Sequence, residues 1–166
     1  MSGPSDRVLE HLTALGVGYE VVDCDPNLAD TTDFCATYGF GLDISANAIV
    51  VVGKSNPPVH VMCLALADSR LDVNRTVRKR IGVRKASFAS ADQTMELTGM
   101  EIGGVTPFGT TSELPLWIDE RIMACERVII GGGGRDRKLL VEPSALTLLP
   151  GAEVVPGLAA VLLSDS

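Results

Sequence analysis

Apolar positions recur in two rhythms along the chain. Val8, Leu12 and Leu15 lie three or four residues apart and stop at Gly16, which predicts a first helix capped by Ser5. YEVVD (19–23) reads as a short strand, and Asp30 or Thr31 can cap a second helix through Tyr38, ended by Gly39. NAIVVV (47–52) and VHVMCLALA (59–67) are rich in β-branched residues, and the turn-forming GKSNPP between them predicts a hairpin.

Asp72 then caps a helix in which Val73, Val77 and Ile81 recur every four residues, leaving the intervening cations mostly outward. Ser90 with Gln93 has the spacing of a capping box, and Gly99 can end that helix. PLWID (115–119), RVIIG (127–131) and LLVE (139–142) are strand-like, and SALTLL, opened by Pro143, reads as a last helix. No repeat or linker interrupts the pattern, so one domain is expected over residues 3–163. Helices and strands interleave without a strict strand–helix–strand rhythm, which favours α+β with a mixed sheet over a doubly wound fold.

Composition narrows this picture. The chain has 166 residues, 46% apolar but only 4% aromatic, so its core rests on Val, Leu, Ile and Ala. No run approaches the roughly 20 apolar residues that span a bilayer, and MSGPSDRV lacks the cationic and apolar parts of a secretory signal. A cytoplasmic protein without a membrane partner is expected. Cys24, Cys35, Cys63 and Cys125 form no CxxC pair, and with only His11 and His60 a metal site is not expected. The apolar settings of Cys63 and Cys125 point to reduced, buried thiols.

The net charge of −7 argues against indiscriminate nucleic-acid binding and against a DNA partner. It hides an asymmetry, however. Residues 1–43 carry eight acidic groups and one basic group, whereas RLDVNRTVRKRIGVRK (70–85) carries seven cations against Asp72 alone. Such a patch can receive a phosphate backbone locally, or it can be a solvated helix face.

Two glycine-rich stretches come near phosphate-binding motifs. Gly104 to Thr111 has P-loop glycine spacing, but Thr110 stands where the lysine belongs and Pro107 removes an amide donor. GGGG (131–134) follows a strand, yet Asp136 occupies the last glycine position of a dinucleotide fingerprint and no periodic helix follows. No GxSxG elbow is present for a serine nucleophile. Glu101 and Asp119 are a conceivable acid–base pair that no spacing requires. Chemistry on this chain would need little titratable help, as in hydrolysis of an activated ester by a water held among oriented amides.

The run RLDVNRTVRKRIGVRKASFAS, then TGMEIGGVTPFG, PLWID and VIIGGGG, resembles the YbaK/ProX-type aminoacyl-tRNA editing domains over about residues 30–149. The same domain occurs inserted in bacterial prolyl-tRNA synthetases. The resemblance implies a curved, barrel-like mixed sheet with flanking helices and a pocket for the 3′ end of a mischarged tRNA. It places the family's substrate-facing GxxxP loop at Gly103, Gly104, Val105, Thr106 and Pro107, and its pocket glycines at Gly132 and Gly133. Glycine would allow close substrate approach and proline would hold the loop, so a methyl added at Gly104 is expected to harm function before stability.

Many members carry a lysine where this chain has Asn47. Lys54, seven residues on, lies roughly 20 Å away along an extended strand, too far to replace it. Lys138 stands where several members are acidic. Arg75, Arg78, Lys79 and Lys85 are the expected contacts to acceptor-stem phosphates. No cofactor is implied, and the partners it implies are a tRNA acceptor end and, as a further candidate, a synthetase. The functions open at this point are a trans-acting deacylase, with tRNA for proline carrying Ala or Cys first in order, a non-catalytic binding module of the same fold, and unrelated small-molecule chemistry.

Overall fold

A computed structural model describes residues 3–162, so the upper limit of the expected domain, residue 163, lies outside the described residues. The first helix, α1 (Pro4–Ala14), starts at an extended Gly3 with Pro4 in its first turn; Ser5 is inside the helix and donates to Asp136 at 3.5 Å. Proline's fixed φ and missing N–H suit that first turn, which is why the cap falls earlier than Ser5. Val8 and Leu12 are buried, and β1 (Tyr19–Asp23) follows. Next, α2 (Thr31–Tyr38) closes on Gly39 at φ 79°, the left-handed conformation that a glycine adopts without penalty.

The expected hairpin is present as β2 (Ala46–Gly53) and β3 (Val59–Leu66), paired antiparallel over eight residues. A short β4 (Ser69–Leu71) leads to the basic segment. There Asp72 accepts from the Arg75 amide, as expected of a cap, but the helix is a wide π-type turn over Val73–Val77 before α3 (Arg78–Ile81). A three-residue β5 (Ala86–Phe88) precedes α4 (Ala91–Thr98), whose Ser90 and Gln93 bond reciprocally. β6 (Leu116–Asp119), α5 (Glu120–Met123), β7 (Val128–Gly131) and β8 (Arg137–Val141) follow. The segment expected as a last helix is a 3-10 helix over Pro143–Leu148, and β9 (Ala152–Val155) and β10 (Ala159–Val161) complete the described chain.

The ladders form a mixed five-stranded sheet, β5-β2-β3-β6-β9, an antiparallel three-stranded sheet, β1-β8-β7, and the pair β10-β4. The fold is thus the expected α+β with a mixed sheet. It is not closed into a barrel: among the described residues the two larger sheets are joined by one isolated bridge, between Ser45 and Ile129. Even-numbered residues of β2, such as Ala46 and Val50, face the main core with Met62, Leu64, Phe108, Ile118 and Leu139. Odd-numbered Ile49 and Val51 face a second core, where Val73 and Val77 anchor the basic segment. That alternation is the two-residue period of an extended strand.

Candidate active site

Beyond the Ser45–Ile129 bridge, β2 and β7 part company. β5 takes up the vacated edge of β2 only at Val51–Gly53, with the Ala89 amide donating to the Val50 carbonyl at 2.8 Å. Between these points, among the described residues, no strand pairs with that edge of β2. Because backbone groups alternate sides along a strand, the N–H and C=O of Ala48 point to the same side as the Val50 carbonyl. The gap opens into a cavity of about 370 Å³.

The cavity gathers residues from distant parts of the chain: Asp30, Thr31 and Phe34 of α2, residues 45–50 of β2, Ile102, Gly103 and Val105 of the loop after α4, Gly131 of β7 and Lys138 of β8. Its rim is apolar and open, with Phe88 57% and Ile102 50% exposed. Its depth is lined by the buried Ala46, Val50, Val105 and Ile130, with Lys138. Asn47 stands in the wall. Its Oδ1 accepts a close hydrogen bond from the Thr31 hydroxyl, which leaves the amide NH2 as the donor end.

The loop is shaped by its own backbone and by two cations. The Gly104 amide closes a turn on the Glu101 carbonyl at 2.9 Å, and Gly103 takes φ 96°. Arg135 donates to the Ile102 carbonyl at 2.6 Å and Lys138 to the Gly103 carbonyl at 2.8 Å. Arg135 is also paired with Asp30 at 3.3 Å. Lys138 is 5% exposed and lies 5.6 Å from the centre of the Phe34 ring. Burial pushes its ammonium below the usual lysine range, partly offset by the nearby Cys24 and Asp30.

The glycines serve a purpose other than the expected one. A Cβ on Gly104 would lie 2.7 Å from the Gly134 carbonyl oxygen and 2.8 Å from that of Gly133, and the Gly133 amide donates to the Gly104 carbonyl at 2.7 Å. One on Gly131 would lie 2.3 Å from the Val105 oxygen. The two glycine runs are pressed together, main chain against main chain. Gly104 therefore has a packing role, and an added methyl there is expected to cost stability as well as function.

The remaining expected positions divide. Gly103, Val105 and Asn47 line the cavity. Thr106 is fully buried, its hydroxyl without a partner in the protein. Pro107 instead lines a second cavity of about 510 Å³ with His11, whose Nδ1 accepts from the Gly109 amide at 2.9 Å. Gly132 and Gly133 do not line the first cavity: Gly132 abuts the Arg137 carbonyl and Gly133 the Pro4 carbonyl of α1. Their neighbour Gly131 takes that place.

The basic segment lies on the other core and none of its cations lines the cavity. Arg78 is committed to the Asn74 and Val83 carbonyls at 2.6 and 3.2 Å, and Arg80 pairs with Glu153 over the Trp117 ring. Arg75, Lys79 and Lys85 are exposed. Lys85 precedes the rim residue Phe88 by three positions, roughly 10 Å along β5. Sequence reasoning missed Thr31, Phe34, Phe88 and Gly131 as cavity residues. The helix start at Asp30–Thr31 was visible, but nothing local shows that it faces Asn47.

Among proteins of known sequence or structure, the aminoacyl-tRNA editing domain family matches residues 25–148. The chain belongs to that family. A Bacillus subtilis (strain 168) relative, the uncharacterized protein YwhH, is 26% identical over 140 residues, spanning 84% of this chain and 87% of the relative. A crystal structure of a protein proposed as a trans-editing enzyme for prolyl-tRNA synthetase superposes with a TM-score of 0.79 at 27% identity, covering 94% of this chain and 97% of the other. The hypothetical protein APE2540 shares the fold at a TM-score of 0.81 and 23% identity, over 92% of this chain and 99% of its own. The editing domain thus accounts for most of the described fold. Among the described residues no three His, Cys, Asp or Glu side chains gather as a metal site, and no helix is long and apolar enough to cross a membrane.

Proposed function

We infer that this editing domain is a trans-acting, cytoplasmic hydrolase that removes the acyl group from mischarged tRNA. The observation that carries the reading is the meeting of Asn47, Gly103, Val105 and the open edge of β2 in one cavity. No histidine or cysteine lines that cavity, and its rim carboxylate, Asp30, is paired with Arg135. A bound water therefore attacks the ester carbon, the bond to the ribose oxygen breaks, and the proton passes to that oxygen. The Asn47 amide and main-chain donors hold the ester and its developing negative charge.

Exposed Lys79, Arg75 and Lys85 supply acceptor-stem contacts, with Phe88 between them and the cavity. Lys79→Ala should lower the slope of log affinity for tRNA against log salt by about 0.9. Arg78→Ala should instead loosen the α3 terminus, because its guanidinium holds two backbone carbonyls. An unchanged slope in Lys79→Ala returns the segment to a solvated face.

The deciding experiment is deacylation of a mischarged panel at micromolar protein, with tRNA for proline carrying Ala or Cys first as the resemblance orders them. Hydrolysis above the buffer rate supports the reading, and none with any acyl group ends it. The lack of a histidine or cysteine in the cavity lining, with Asp30 held by Arg135, favours one second reading, a binding module for charged tRNA or a synthetase. Binding of charged tRNA without turnover is its signature.

A further inference from the structure

Lys138 is the one charged side chain in the depth of the cavity. It is 5% exposed, and among the described residues no carboxylate pairs with it. Its ammonium has three donors, of which one reaches the Gly103 carbonyl; the Phe34 ring covers part of the group without accepting a directed bond. A buried charge left this way is costly unless a partner arrives. The nearest carboxylate of the cavity, Asp30, is on the exposed rim and already held by Arg135.

Depth decides what the partner is. Phe88 and Ile102 mark the mouth, so a nucleotide end enters there with its phosphates outside. The acyl side chain leads into the apolar interior and ends beside Lys138.

We propose that Lys138 makes this cavity selective for aminoacyl groups whose side chain ends in a carboxylate. The proposal rests on the deacylase reading above and names its substrate class. Alanine and cysteine, first in order by resemblance, offer the ammonium no anion and become the weaker substrates.

Aspartyl and asparaginyl groups have nearly the same shape and differ in charge, so they isolate the effect. The probes are 3′-amino-3′-deoxyadenosines carrying either group in amide linkage, which bind without being hydrolysed. Calorimetry on the full chain should show the aspartyl probe binding at least about tenfold tighter. Lys138→Met should bring the ratio near unity, and Lys138→Gln serves if the methionine variant does not fold. A wild-type ratio near unity, or a preference that survives both substitutions, overturns the proposal. The same pair of groups esterified to tRNA completes the test. Aspartyl preference in binding with no hydrolysis of any ester would end the deacylase reading and leave the selectivity standing. Hydrolysis of alanyl or cysteinyl esters without aspartyl preference would do the reverse.

Discussion

The two ends of the Gly103–Pro107 loop are one motif in sequence and two surfaces in space. The Gly103–Val105 end borders the cavity that holds Asn47 and Lys138, whereas Pro107 borders a different cavity beside His11. Between them Gly104 is locked by main-chain contact to Gly133 and Gly134, and Thr106 is buried. Contiguity in a motif therefore does not mean a shared role. One end borders the Asn47 cavity, the middle fastens the loop to the β7–β8 turn, and the far end lies beside His11 of α1.

The largest effects should fall on the middle. Gly104→Ala and Gly131→Ala each force a methyl against carbonyl oxygens that cannot retreat. Each should cost about 3 kcal/mol, a fall in melting temperature of roughly 6–12 °C. Calorimetric melting checks this, and a normal melt with lost deacylation would return Gly104 to a substrate-facing role. At the cavity end, Asn47→Ala should reduce kcat/KM by about tenfold while shifting the melt by less than about 4 °C. Equal loss of both would make Asn47 a brace for Thr31 alone.

The far end should be the quietest in activity. His11→Ala removes the acceptor of the Gly109 amide and should cost about 1 kcal/mol with turnover retained. Pro107→Ala should cost at most about 1 kcal/mol through added freedom of the unfolded chain. Steady-state deacylation beside thermal melting tests both. A drop in turnover larger than that of Asn47→Ala would move the site to the second cavity.

Local chemistry was readable wherever it was self-sufficient. The Ser90–Gln93 box, the Gly39 and Gly99 helix stops and the β2–β3 hairpin depend on neighbours within a few residues, and all are present. The short strands β4, β5, β9 and β10 were not readable. Each is three or four residues long and exists because a remote partner pairs with it, as Ala159 does with Leu71. The site divides in the same way. Asn47 and Gly103 could be singled out through the family's motifs, but the object that fills the space beside Gly104 lies about thirty residues further on. Lys138 could be marked as unusual, but its depth, and the lack of a carboxylate beside it, follow only from folding.

One consequence of the main-chain clasp between Gly104 and the β7–β8 turn concerns how such a domain can change its diet. On the deacylase reading, the frame around the reacting bond is held by atoms every residue possesses, whereas the chamber's taste falls to side chains at other positions, such as 34, 47 and 138. Mutation can therefore retune what is accepted without unsettling where the reaction takes place.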